Sequence, residues 1–89
     1  MSARLEALRQ EIERIDGSLV RLVSRRVELA RAAGEEKRRL ELPTLDPKRE
    51  AEVVRRAGEL ARRAGLDAEE VRELFWRVIG LSRRDQSGR

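Results

Sequence analysis

The chain has 89 residues, which is enough for at most one small domain. It contains no cysteine and no histidine, which excludes disulfides, thiolate chemistry, an imidazole base and histidine metal ligation. The net charge is +4 with 43% of residues charged, but the signs interleave, as in Glu52 with Arg56, Glu69 with Arg72 and Glu73 with Arg77; solvated helix faces explain this better than a basic nucleic-acid surface does.

From Ala3 to Arg39 the pattern predicts one long helix. Leu5, Leu8, Ile12, Ile15, Leu19 and Leu22 recur at spacings of three and four, and no proline interrupts them. At 1.5 Å per residue this helix is roughly 55 Å long. A compact chain of this size has a radius of gyration of only about 12 Å. The helix must therefore protrude, and its apolar stripe needs another chain to cover it. Phe75 and Trp76 are the whole aromatic supply, so the core within one chain is thin. The simplest arrangement is a dimer with the two long helices paired.

Leu40 to Leu45 reads as a short connection. Asp46 and Pro47 then open a second helix, as N-cap and first helical residue. That helix runs over 47–64, with Val53, Val54, Ala57, Leu60, Ala61 and Ala64 on its apolar face and Gly65 as its stop. Asp67 to Glu70 resembles a capping box with Asp in the place of Ser or Thr. It starts a third helix over 68–86, whose stripe is Val71, Leu74, Phe75, Val78 and Ile79. The expectation is all-α: a single domain over 1–89, with three helices over about 3–39, 47–64 and 68–86. No stretch reaches the ~18–20 apolar residues of a membrane-spanning helix. The first residues carry charges at Arg4, Glu6, Arg9 and Glu11 with no apolar run behind them, so the expected location is cytoplasmic, with no membrane partner.

Polar residues interrupt each apolar stripe. The first stripe, carried forward, lands on Arg26 and Lys37. Glu50 lies one turn before Val53 and Val54 on their face, and the third stripe continues to Ser82 and Gln86. Burying a charge without a partner costs several kcal/mol. Taken singly, each has a bland explanation: a snorkelling arginine, a solvated helix end, or a carboxylate answering a helix dipole. Together they lie near helix ends that a bundle brings together, and they suggest a pocket lined for an anion. No nucleophile has an evident base, and no metal cluster or glycine-rich phosphate loop is present. What remains is cations, an amide donor and a carboxylate acceptor. That set suits electrostatic stabilisation of a charge-shifting transition state and the holding of a flexible ligand in a reactive shape.

The chain resembles the all-helical class of chorismate mutase. The resemblance rests on Leu8-Arg9-Gln10-Glu11-Ile12 with Ile15-Asp16, Arg25-Arg26-Val27-Glu28-Leu29-Ala30, Gly34-Glu35-Glu36-Lys37, Leu42-Pro43, Asp46-Pro47-Lys48-Arg49-Glu50, Gly65-Leu66 and Ser82-Arg83-Arg84-Asp85-Gln86. It covers about residues 5–86. It implies an intertwined, domain-swapped homodimer of three-helix chains that converts chorismate to prephenate by a Claisen rearrangement, with no cofactor and no metal. Position by position, it implies that Arg26 binds a substrate carboxylate and that Arg9 reaches a carboxylate in the partner chain's site. Lys37 would contact a carboxylate and the ether oxygen, and Gln86 would donate to that oxygen. Glu50, with the backbone near Asp46, would hold the ring hydroxyl. Ser82 would bind the ring carboxylate, and Arg49 would line the site.

Three positions depart from the pattern or bear on it. Ala33 stands where relatives often carry a bulkier aliphatic. Arg83 adds a cation beside Ser82, and its direction is not readable from sequence. Gln86, unlike a glutamate, donates at any pH, so activity should persist at and above neutral pH. Three other readings compete with the mutase: an isochorismate-pyruvate lyase of the same fold, a non-catalytic helical module such as a coiled-coil adaptor or a partner of a larger enzyme, and, with least support, a basic helical nucleic-acid binder. The segment from Asp46 to Glu50 looks like the mutases rather than the lyases. A complex with another enzyme of the shikimate pathway is compatible with either role.

Overall fold

The computed structural model describes residues 2–86, with side chains through Arg83. It contains three helices: α1 (Ala3–Arg39), α2 (Pro47–Arg63) and α3 (Ala68–Gln86). No strand occurs among the described residues. The order and nature of the elements match the sequence expectation, and α2 ends one residue early, with Ala64 as its C-cap.

Each boundary has a local cause. Ser2 Oγ accepts from the Leu5 amide at 3.1 Å and caps α1. Asp46 does the same for α2, accepting from the Arg49 amide at 3.2 Å, and Asp67 for α3, accepting from the Glu70 amide at 2.9 Å. The α2 terminus is closed by a left-handed Gly65 at φ 78°. The Gly65 amide donates to the Arg62 carbonyl at 3.1 Å and the Leu66 amide to the Ala61 carbonyl at 2.8 Å, which satisfies carbonyls that the helix leaves open. The end of α1 uses the same geometry without a glycine. Glu41 is left-handed at φ 60°, and the amides of Glu41 and Leu42 donate to the carbonyls of Arg38 and Lys37 at 3.1 and 2.8 Å. No glycine or asparagine marks this turn in the sequence.

Helix α2 packs on α3, and α3 packs on α1. The core is built of small residues: Val54, Ala57 and Ala61 from α2 and Ile79 from α3 are buried. Gly58 is buried at the α2–α3 contact. A Cβ there would clash with Nη1 of Arg72, so that guanidinium crosses directly over the glycine. Of the expected α2 face, Leu60 and Ala64 are exposed and Val53 is half-buried. On α3, Val71, Phe75 and Val78 are half-buried and Leu74 is exposed.

The molecule measures 59 × 28 × 16 Å, with a radius of gyration of 16.7 Å. Leu5, Leu8, Ile12, Ile15, Leu19 and Leu22 are all exposed along α1. The protruding helix with an uncovered stripe is therefore present. No described helix is long and apolar enough to cross a membrane.

Candidate functional site

Where the C-terminal half of α1 meets the start of α2 and the far part of α3, a cleft of about 470 Å³ opens. That lies within the usual range for small-molecule sites, about 300–1,000 Å³. The cleft brings together Arg26 and Lys37 from α1, Asp46, Arg49 and Glu50 from the start of α2, and Ser82 from α3. Ala30, Ala33, Val53 and Ile79 supply its apolar wall. Five cationic residues (Arg26, Lys37, Arg38, Arg49 and Arg83) and two carboxylates (Asp46 and Glu50) line it, so its charge favours an anion.

The polar groups are held in different ways. Lys37 Nζ donates to the Thr44 carbonyl at 3.3 Å. An ammonium has three donors, so the others remain for a ligand. Asp46 is occupied as the α2 cap, through the Arg49 amide. Glu50 pairs with the guanidinium of Arg83. That hydrogen bond, with the accompanying attraction between the charges, raises the Arg83 pKa above its already high ordinary value and keeps it a cation. Ser82 is only 6% exposed, and its Oγ has no hydrogen-bond partner among the described residues. Buried hydroxyls are nearly always bonded, so an unpartnered one on a residue that lines a cationic cleft is a candidate contact for a ligand acceptor.

Two expected site residues are not gathered here. Arg9 is exposed on α1 and lies outside the cleft. It precedes Arg26 on the same helix by about 25 Å along the axis at 1.5 Å per residue, so it cannot reach the cleft of its own chain. Gln86 closes α3 one turn beyond Ser82, and its side chain lies outside the described residues.

The structure adds participants that the apolar stripes do not reveal. Arg38 follows Lys37 and falls on a different helical face, and the Thr44 carbonyl belongs to a connection with no periodic signal. Arg83 was visible as an extra cation, but its turn toward Glu50 depends on how α2 and α3 cross. Among the described residues, no group of acidic, cysteine or histidine side chains is arranged to hold a metal.

Fold and cleft together define an all-helical domain with a cationic pocket sized for a small organic anion. Sequence comparison makes this specific: the chain belongs to the chorismate mutase type II family, whose model matches residues 8–87. The chain is 34% identical over 79 residues to a T-protein from Enterobacter agglomerans, an alignment that takes in 89% of this chain and 21% of that protein. It is 45% identical over 49 residues to a bifunctional chorismate mutase/prephenate dehydratase from Aquifex aeolicus, covering 55% of this chain and 14% of the relative. It is also 44% identical over 55 residues to a 3-dehydroquinate dehydratase from Pyrobaculum aerophilum, covering 62% and 18%. The chain thus spans about a fifth or less of the curated relatives it matches. Among solved structures, it is similar to a conserved hypothetical protein from Pyrococcus furiosus, with a TM-score of 0.75, 40% identity and coverage of 97% of this chain and 99% of that one.

Proposed function

We propose that the chain is a chorismate mutase that converts chorismate to prephenate. The observation that carries this reading is the convergence of Arg26, Lys37, Asp46, Arg49, Glu50 and Ser82 on one cleft, with the Ser82 hydroxyl buried and unpartnered. These are the residues that the family pattern assigns to the substrate.

The reaction breaks a C–O bond and forms a C–C bond within one molecule, so it needs no nucleophile and no proton transfer. Chorismate carries two carboxylates, which the guanidinium forks of Arg26 and of Arg9 from the partner chain suit, while Arg49 lines the site and adds to its positive charge. As the C–O bond lengthens, negative charge grows on the ether oxygen. The Lys37 ammonium stabilises that charge more in the transition state than in the ground state, and Gln86 is assigned a second donor to the same oxygen. Glu50 accepts from the ring hydroxyl beside the Asp46 backbone, and Ser82 Oγ donates to the ring carboxylate. Confining the flexible side chain of the substrate in the cleft supplies the near-attack shape.

The active form in this reading is an intertwined homodimer. The uncovered stripe from Leu5 to Leu22 supports it, because a chain this small gains little by exposing so much apolar surface. So does the position of Arg9, which serves a site only if that site belongs to a partner chain.

The test is incubation of the purified protein with chorismate, following loss of its ultraviolet absorbance and identifying the product. Prephenate formed in proportion to protein is the expected result. A folded chain that leaves chorismate unchanged overturns the reading, and pyruvate released from isochorismate would replace it with the lyase.

A further inference from the structure

We propose that Arg83 is a positioning residue for substrate binding: its ion pair across the helices holds the Glu50 carboxylate in the orientation that accepts a ligand hydroxyl. The inference rests on the chorismate reading and adds to it a residue with which the substrate has no direct contact.

The geometry is specific. Arg83 follows Ser82 on α3, and Glu50 lies in the first turn of α2, 33 residues away in sequence. Both line the cleft. The Glu50 side chain is 22% exposed and that of Arg83 is 50% exposed, so the carboxylate is the enclosed partner and the guanidinium approaches from the solvent side. The bond engages Oε2 of Glu50, which leaves Oε1 to accept from the ligand's hydroxyl.

Pairing changes two things for Glu50. An enclosed carboxylate in a dianion site repels its ligand, and the adjacent guanidinium cancels that repulsion. Glutamate also has three rotatable bonds, and a charged hydrogen bond to a neighbouring helix selects one arrangement before the ligand arrives. The pair further ties α2 to α3 beside Ser82, so the carboxylate and the orphan hydroxyl keep a constant separation. The other ion pairs among the described residues join positions three or four apart on one helix, as in Arg14 with Glu11 and Arg55 with Glu59. Among the pairs described, Arg83 with Glu50 is the one that spans two helices.

The experiment is a double-mutant cycle on turnover, with Arg83→Gln, Glu50→Gln and the double variant compared with wild type. Circular dichroism melting checks that each is folded. Arg83→Gln is expected to lower kcat/KM by about tenfold or more, chiefly through KM. Arg83→Lys, which keeps the charge and loses the fork, should recover part of the loss. In the Glu50→Gln background, removing Arg83 should cost less than about threefold, because the group it positions is already altered. Equal losses in both backgrounds would mean that Arg83 acts on the substrate itself and would overturn the proposal, as would wild-type kinetics for Arg83→Gln. If Arg83→Gln unfolds, Arg83→Lys in the two backgrounds decides by the same criterion. A wild-type chain without turnover overturns the functional reading and this role together, whereas an active wild type with an additive cycle overturns this role alone.

Discussion

Lys37 Nζ donates to the Thr44 carbonyl at 3.3 Å, and the Lys37 carbonyl accepts from the Leu42 amide at 2.8 Å, so both ends of one residue fasten the close of α1 to the connection that follows. The left-handed Glu41 makes this fold-back possible. The arrangement aims the ammonium into the cleft and gives it one fixed protein acceptor, with donors remaining for the ligand.

Lys37→Ala should therefore lower kcat by about 100–1,000-fold, the usual cost of removing one donor to a developing oxyanion. Stability should fall by no more than about 1 kcal/mol, because one neutral acceptor loses its partner at a half-open site. Steady-state kinetics and a denaturant melt check the two together. Near-normal turnover would remove Lys37 from the reaction.

The unpartnered Ser82 hydroxyl sets stability against binding. Removing a buried, unsatisfied polar group relieves a penalty of about 1–3 kcal/mol. Ser82→Ala should leave the ligand-free protein as stable as wild type or more so, while raising KM about tenfold through the lost hydrogen bond. Thermal melts with and without substrate read this directly. A clear drop in ligand-free stability would show that the hydroxyl is bonded in solution.

Arg9 and Lys37 test the assignment of sites across chains. Arg9→Ala and Lys37→Ala should each be nearly inactive alone. Refolded together as a mixed dimer, one of the two sites would have both residues intact. Random pairing then restores about a quarter of wild-type activity. No recovery from a verified mixed dimer would exclude Arg9 from acting in the partner chain's site.

Glu41 holds a backbone conformation that a side chain disfavours by about 1–2 kcal/mol. Glycine removes that strain but gains freedom in the unfolded chain, which takes back part of the benefit. Glu41→Gly should stabilise the protein by about 0.5–1 kcal/mol, measured by chemical denaturation. Destabilisation would mean that the Glu41 side chain makes a contact that outweighs its backbone strain.

The periodicity of the chain, with its cap residues, determined the three helices, α2 to within one residue, because caps and stripes are local: Asp46, Asp67 and Gly65 act within a turn of themselves. It also marked Arg26, Lys37, Glu50 and Ser82, since a polar residue on an apolar face is a conflict visible without coordinates. The turn at Glu41 was not legible, because the usual glycine is absent and the turn is held by hydrogen bonds to carbonyls at the end of α1. Tertiary structure decided which polar residues meet. Arg38 lines the cleft from the last turn of α1, Thr44 through the fold-back that follows it, and Arg83 reaches Glu50 through the crossing of α2 and α3. Helical spacing assigns a side chain to a face of its own helix; which groups that face meets depends on packing between segments far apart in the chain.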